Sequence, residues 1–192
     1  MLEASDLRAS YGPVEALRGV SIRVEAGHTT AILGANGAGK TTLLRAIAGL
    51  ANLRAGRILV DGKDVTSVPA HRRRSFGLGY AMEGRRIFRE ISVEDNLKLA
   101  WSFGPRKQSF SHALDIVYTN FPVLREKAKQ PAGLLSGGQQ QMAILSSATI
   151  SQPRYLLLDE PSLGLAPIIV DQIYRYIRDF SAEFGTAVVL AE

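Results

Sequence analysis

A glycine-rich run constrains this chain more than any other feature. Residues 34–42 read Gly-Ala-Asn-Gly-Ala-Gly-Lys-Thr-Thr and fit the pattern G-x-x-x-x-G-K-[ST]. A buried strand over Thr29–Leu33 is predicted before the run, and a helix over Lys40–Ala48, ended by Gly49, after it. Glycines let successive backbone N–H groups turn toward a phosphate, and the following helix points its positive N-terminus at the same place. The run therefore predicts a phosphate-binding loop.

The residues of this loop have separate expected roles. Lys40 is expected to reach the β- and γ-phosphates and to take part in catalysis, and the Thr41 hydroxyl is expected to bind Mg²⁺. ATP and Mg²⁺ are thus the predicted cofactors. The other predicted nucleotide-binding residues of the loop are Gly34, Asn36, Gly37, Ala38, Gly39 and Thr42.

A second pattern lies well downstream. The apolar run Tyr155–Leu158 predicts a buried strand, and Asp159 and Glu160 follow it directly. Asp159 is placed to hold Mg²⁺ as the second half of a phosphate-loop nucleotide site. Glu160 is the candidate for orienting and polarising the attacking water. Many strands end in acidic turns, so this pattern is informative only together with the loop.

Between these two patterns lies the sequence Leu-Ser-Gly-Gly-Gln-Gln-Gln, residues 135–141. Ser136 is a predicted helix N-cap, as is Ser92 earlier in the chain, and in isolation the Ser136 segment could be a plain Ser-capped helix. The chain, however, carries three motifs in a fixed order: the phosphate loop, then Ser-Gly-Gly-Gln, then Asp-Glu. In this order of motifs it resembles the ABC (ATP-binding cassette) ATPases. That resemblance implies a head-to-tail dimer in which the segment reaches the γ-phosphate held by the partner's loop. The residues so assigned are Ser136, Gly137, Gly138 and Gln139.

The resemblance covers essentially all of the chain and implies two further site residues. Tyr11 matches the aromatic residue that stacks on adenine. Glu83 stands where most of these ATPases carry a glutamine that senses Mg²⁺ and water, so it is assigned to the metal. Segments 83–88 and 159–167 are similar to the smaller ATPase subunit of branched-chain amino acid importers. Met82 and the polar segment 146–149 depart from the family pattern.

The alternation of strands and helices, with a mostly helical stretch near residues 85–151, predicts an α/β fold. The resemblance specifies a P-loop NTPase (RecA-like) core of the ABC ATPase type, with an N-terminal antiparallel β part and an inserted helical subdomain. We expect one domain over residues 1–192, with 85–151 as the subdomain. Because the family's switch residue would follow Glu192, we expect the C-terminal end of the domain to be missing and turnover of the 192-residue chain to be low.

The composition limits the kinds of site, partner and cellular location that the chain can have. The chain has no cysteine, its three histidines lie apart, and no apolar run approaches the ~18 residues of a membrane-spanning helix. The net charge of +5 suits anionic partners without identifying one. The basic run His71–Arg74 is expected to be mainly solvated. A cytoplasmic protein, peripheral on the inner face of the cell membrane, is expected.

The predicted function is ATP binding and hydrolysis that powers solute transport, with branched-chain amino acids as the solute implied by the subfamily. Predicted partners are a second ATPase subunit, membrane permease subunits and a solute-binding protein, with no specific nucleic acid. Two alternatives remain open at this point. One is a non-transport ABC ATPase acting on ribosomes or nucleic acid, and the other is a nucleotide-binding fragment without turnover.

Overall fold

The computed structural model describes residues 1–84, 86–105 and 108–192, and this part of the chain contains two four-stranded sheets. The first sheet is formed by β1 (Leu2–Tyr11), β2 (Val14–Val24), β4 (Leu53–Val60) and β5 (Lys63–Asp64). Its strands are antiparallel and lie in the order β2-β1-β4-β5. The N-terminal antiparallel part that the family resemblance implied is therefore confirmed.

The second sheet is parallel and forms the centre of the molecule. It consists of β3 (Thr29–Ile32), β6 (Leu78–Ala81), β7 (Tyr155–Asp159) and β8 (Ala187–Ala191), in the order β3-β8-β7-β6. Every residue of β7 is buried. Leu156 and Leu158 pack into one hydrophobic core, whereas Tyr155 and Leu157 pack into the other. Because successive side chains of a strand point to opposite faces, β7 is covered on both sides, as inner strands of parallel sheets are.

The prediction of a buried strand over Thr29–Leu33 is confirmed as a strand but is wrong about burial. No residue of β3 is buried and Leu33 is 77% exposed, because β3 lies at the edge of this sheet.

The helices follow the predicted pattern closely. Ser92 and Ser136 each accept a hydrogen bond from the backbone N–H three residues later, which confirms both as N-caps. The predicted helix that starts at Lys40 has the expected bounds and ends at Gly49, whose φ is 79°. The helices are α1 (Lys40–Ala48), α2 (Ala70–Arg73), α3 (Val93–Ser102), α4 (Phe110–Asn120), α5 (Pro122–Glu126), α6 (Gly137–Thr149) and α7 (Pro167–Phe184).

Four of these helices, α3 to α6, lie between β6 and β7 along the chain. They fall within the segment 85–151 that the sequence analysis assigned to a helical subdomain, of which residues 85, 106 and 107 lie outside the described part. Among the described residues, none of the helices combines the length and apolar character that a membrane span requires.

The first strand carries a pattern that the sequence analysis did not recognise. The buried residues of β1 are Leu2, Ala4, Leu7 and Ala9, so the alternation shifts by one residue in the middle. The pairing with β2 is irregular at this point, and Asp6 has a φ of 47°. A bulge of this kind inserts an extra residue and moves the later side chains to the opposite phase. Strict alternation is therefore absent from the sequence although the strand is continuous.

The expectation that the basic run His71–Arg74 is mainly solvated is wrong for its second half. His71 and Arg72 are exposed, but Arg73 is only 3% exposed and Arg74 is partly buried. Arg73 donates hydrogen bonds to backbone carbonyls around the end of α1, including those of Ala46 and Ile47. Burial lowers the pKa of both guanidinium groups. Half of the run is thus part of the interior.

Candidate functional site

The phosphate loop lies between β3 and α1, where the sequence placed it. Gly37 and Gly39 have φ values of 83° and 97°, a region that L side chains rarely adopt. The Ala38 N–H donates to the Ala35 carbonyl at 3.0 Å, which tightens the turn. The four first N–H groups of a helix have no partner within it, so the start of α1 presents donors to the loop. The loop thus has the form that a bound anion requires.

Lys40 occupies the interior of this loop. Its side chain is 7% exposed, and its ammonium donates to the carbonyls of Gly34 at 2.7 Å and Ala35 at 3.3 Å. The same ammonium lies 3.6 Å from Oε1 of Glu160. Lys40, the first residue of α1, is thereby paired with the acidic residue that follows β7. Residues 120 positions apart in the sequence share one charge pair at this site.

Asp159, at the end of β7, is 1% exposed and accepts two side-chain hydrogen bonds. The Thr41 hydroxyl donates to its Oδ1 at 2.9 Å, and the Tyr80 hydroxyl donates to its Oδ2 at 2.9 Å. Burial and the neighbouring carboxylate both raise the pKa of Tyr80, so this phenol remains protonated at neutral pH. Both oxygens of Asp159 are therefore held in fixed positions.

Glu160 has a backbone conformation that is unusual for its residue type. Its φ is 46°, in the left-handed region that costs a non-glycine residue on the order of 1–2 kcal/mol. The chain is held there by a hydrogen bond from the Glu160 N–H to the Ala191 carbonyl at 3.0 Å, which ties the turn to β8. Strained residues of this kind cluster at functional sites. The turn directs the Glu160 side chain back toward Lys40.

A cavity of about 490 Å³ opens over these groups. Tyr11 lies on its wall, is 51% exposed, and interacts through a hydrogen bond with Arg45, whose pKa that bond raises. Glu83 also lines the cavity, and it shares a second hollow with Asp159 and Glu160. The predicted site residues that line the main cavity are Tyr11, Asn36, Gly37, Gly39, Lys40, Thr41, Thr42, Glu83 and Glu160.

Gly34, Ala38 and Asp159 do not line this cavity, and the four assigned residues of the Ser-Gly-Gly-Gln segment lie elsewhere. Ser136, Gly137, Gly138 and Gln139 line a separate groove of about 860 Å³ beside the start of α7. Ser136 and Gln139 cap the helix reciprocally, because the Ser136 Oγ accepts from the Gln139 N–H and the Gln139 Oε1 accepts from the Ser136 N–H. Within one chain, the structure keeps this segment apart from the phosphate loop.

Sequence reasoning missed Tyr80 and Arg45, which lie behind the site. Tyr80 is in β6, pairs with Leu157 of β7, and reaches Asp159 from the neighbouring strand. Arg45 is one turn along α1 and interacts with both Tyr11 and Tyr80. Nothing in the spacing of these residues indicates the contact. Only the pairing of β6 with β7 would have revealed it.

The oxygen donors present suit a magnesium nucleotide. In the described part of the chain, no three His, Cys, Asp or Glu side chains form a group that could hold a metal by themselves. Mg²⁺ usually takes only one or two protein ligands and completes its shell with phosphates and water. Thr41 and Asp159 supply that number of oxygen ligands beside the loop. The carboxylates of Glu83, Asp159 and Glu160 would repel a bound polyphosphate, and a divalent cation offsets that repulsion.

Comparison with known proteins agrees with this geometry. Residues 17–163 match the family model described as ABC transporter. The high-affinity branched-chain amino acid transport ATP-binding protein BraG of Pseudomonas aeruginosa is 40% identical over 192 residues, which are 100% of this chain and 82% of that protein. The probable branched-chain amino acid transport ATP-binding protein LivF of Archaeoglobus fulgidus is 33% identical, over 100% of this chain and 81% of that protein.

Solved structures give the same answer for the fold. The ATP-binding subunit of an ABC transporter superposes with a TM-score of 0.85 at 27% identity, covering 100% of this chain and 78% of that one. A dimeric, post-hydrolysis ATP-binding cassette bound to ADP and phosphate has a TM-score of 0.89 at 22% identity, with 100% and 87% coverage, and shows the fold alone. The chain therefore belongs to the ABC transporter family, as an ATP-binding and ATP-hydrolysing subunit.

Proposed function

We propose that this subunit binds MgATP in the cavity above α1 and hydrolyses it to drive a membrane permease. The observation that carries the proposal is that two distant parts of the chain meet beside one cavity. Lys40, Thr41 and Glu160 line this cavity. Asp159 accepts a hydrogen bond from the Thr41 hydroxyl. Lys40 and the loop N–H groups bind the β- and γ-phosphates. Tyr11, exposed on the cavity wall, stacks on the adenine base.

Thr41 and Asp159 hold the metal in this proposal. Bound Mg²⁺ supplies charge neutralisation for the phosphates and orients them. The hydrogen bond of 2.9 Å between Thr41 and Asp159 keeps both oxygens close enough to bind one ion. Glu83 lies in the same hollow as Asp159 and Glu160, where it can bind a water of the metal shell.

Glu160 is the proposed group that orients the attacking water. Its carboxylate borders the cavity on the side of Lys40, and its strained turn fixes the direction of the side chain. A carboxylate there accepts a hydrogen bond from the water and increases the electron density on its oxygen. The Lys40 ammonium, 3.6 Å from Oε1 of Glu160, helps to hold this carboxylate beside the cavity.

The segment that includes Ser136, Gly137, Gly138 and Gln139 completes the site of a second ATPase subunit in a head-to-tail dimer. Its separation from the cavity of its own chain supports a role in a partner's site. The capping box at the start of α6 uses the N–H groups of Ser136 and Gln139, and those of Gly137 and Gly138 suit a phosphate. A related cassette with this fold is dimeric in its ADP- and phosphate-bound form.

The relatives named for branched-chain amino acid transport support a hydrophobic amino acid as the transported solute. The proposed partners are accordingly permease subunits and a solute-binding protein, which place this subunit on the cytoplasmic face of the membrane. Net charge alone gave the ribosome or nucleic-acid alternative its support, and transport is favoured over it because the relatives are named as transport proteins.

Two variants of the subunit test the assignment. Lys40→Ala is expected to abolish tight MgATP binding, because the loop loses its charge on the phosphates. Glu160→Gln is expected to bind MgATP as the parent does but to hydrolyse it at least ~100-fold more slowly, by analogy with removal of other transition-state contacts. Calorimetric titration measures binding, and phosphate release measures turnover.

Light scattering gives a third measurement on the same proteins. Glu160→Gln should accumulate as a dimer in MgATP, whereas Lys40→Ala should remain monomeric. Parental turnover in Glu160→Gln would remove Glu160 from its proposed role. Parental ATP affinity in Lys40→Ala would contradict the nucleotide site itself.

A further inference from the structure

Tyr80 donates a hydrogen bond to Asp159, and this hydrogen bond has no role in the function proposed above. Its hydroxyl donates to Oδ2 of Asp159 at 2.9 Å, while Thr41 donates to Oδ1 of the same carboxylate at 2.9 Å. Asp159 is almost completely buried, so neither oxygen exchanges these donors for bulk water. The carboxylate plane is therefore fixed by two donors that come from different sides, one from α1 and one from β6.

The environment of the phenol keeps it a donor. A tyrosine hydroxyl ordinarily has a pKa of about 10, so it is protonated at neutral pH and can donate a hydrogen bond. The proton of the phenol is directed to Oδ2 of Asp159, which accepts the hydrogen bond. A phenylalanine at this position would fill the same space and lack this bond.

We propose that Tyr80 is a positioning residue, which holds the Asp159 carboxylate in the orientation that binds the magnesium of MgATP. The inference rests on the proposed role of Asp159 as a metal ligand. Residues that hydrogen-bond a metal ligand from behind fix its orientation, and their loss typically reduces metal affinity or activity about 10- to 100-fold. Without Tyr80, the hydrogen bond from Thr41 to Oδ1 would be left to orient the Asp159 carboxylate, which could then rotate about that hydrogen bond.

Removal of the Tyr80 hydroxyl should weaken the binding of Mg²⁺ and leave the affinity for metal-free ATP unchanged. In Tyr80→Phe, the ratio of ATP affinity with Mg²⁺ to ATP affinity in EDTA is expected to fall about tenfold. The affinity in EDTA should not change, because Tyr80 contacts neither the phosphates nor the base in this proposal. Mn²⁺ with a non-hydrolysable ATP analogue gives a second readout, since the spectrum of bound Mn²⁺ reports its ligand geometry directly.

The chain offers two matched controls. Tyr155→Phe removes a hydroxyl that donates to a different carboxylate, that of Asp61, at 2.6 Å, at the opposite end of β7. Tyr118→Phe removes a buried hydroxyl that has no hydrogen-bond partner in the described part of the chain. Both should keep the parental affinity ratio and the parental Mn²⁺ spectrum. Thermal unfolding of all variants measures the loss of stability separately.

Asp159→Asn separates this inference from the proposed function. If Asp159→Asn loses the metal dependence while Tyr80→Phe keeps the parental ratio and spectrum, the role of Tyr80 is overturned and the metal site stands. An equal fall in Tyr155→Phe would also overturn it, because the effect would then belong to the fold. If Asp159→Asn itself keeps the parental ratio, the proposed metal site fails.

Discussion

Two glycines of the phosphate loop show how differently a single residue type can be constrained. A Cβ added to Gly39 would lie 2.6 Å from the backbone oxygen of Ala16, and its φ of 97° is unfavourable for any L side chain. Gly37 has a φ of 83°, but a Cβ there would meet nothing within 4 Å. Gly39 is therefore limited by both conformation and space, and Gly37 by conformation alone.

This difference leads to a prediction about stability without nucleotide. Gly37→Ala should lower the free energy of unfolding by about 1–2 kcal/mol, the usual cost of the left-handed region. Gly39→Ala should lower it by more, about 3 kcal/mol or above, because the backbone near Ala16 must also move. Denaturant unfolding of the two variants measures both values. Equal losses would show that the close contact with Ala16 relaxes freely.

At the scale of an element, the end of α1 is stabilised by one buried side chain. Arg73 donates from Nη1 to the Ala46 and Ile47 carbonyls at 2.8 and 2.6 Å. It also donates from Nε to the Val68 carbonyl and from Nη2 to the Thr66 carbonyl, both at 2.8 Å. The last carbonyls of a helix lack partners and carry partial negative charge. A guanidinium suits this position because it offers several N–H donors to these carbonyls and carries a positive charge.

Arg73→Met should therefore destabilise the domain by roughly 2–4 kcal/mol, because it leaves several buried carbonyls without donors while conserving most of the volume. Arg72→Met, at an exposed neighbouring position of the same short helix, should change the stability by no more than about 0.5 kcal/mol. Chemical denaturation compares the two. If both variants unfold alike, Arg73 does not stabilise the end of α1.

At the scale of the whole molecule, residues of α3, α6 and β6 help to line a groove that is distinct from the nucleotide cavity. It has a volume of about 320 Å³, and Tyr80, Phe88, Asn96, Leu99 and Phe103 are among its lining residues. Phe88 is 65% exposed and Phe103 is 61% exposed, although Val93 and Leu97 of α3 are completely buried. The exposed aromatic residues suit the docking of an apolar segment of the permease.

Because the chain has no cysteine, a single one can report this contact. Phe88→Cys, carrying a short bifunctional reagent, is expected to form cross-links to permease subunits in membrane vesicles. Ile168→Cys, at a similarly exposed residue that does not line the groove, is the control and should form few or none. Complete absence of permease products from Phe88→Cys would contradict docking at this groove.

Local patterns were sufficient for much of the molecule. The phosphate loop, α1 and the buried strand β7 were predicted with their bounds nearly unchanged, because each depends on residues a few positions apart. The same applies to the helix caps at Ser92 and Ser136, where donor and acceptor are three residues apart. By contrast, β1 was not predicted, because its bulge at Asp6 interrupts the alternation of apolar and polar residues by which a strand is recognised.

The sequence by itself therefore determined the α/β class, the phosphate loop and the order of the motifs, all of which follow from short-range spacing. Only the tertiary structure decided that Tyr80 holds Asp159 and that Arg73 enters the interior, since both contacts join segments far apart in the chain. It also decided that the Ser136 segment lies apart from the cavity of its own chain. The physical reason is that strand pairing and helix packing select these neighbours, and no local pattern records them.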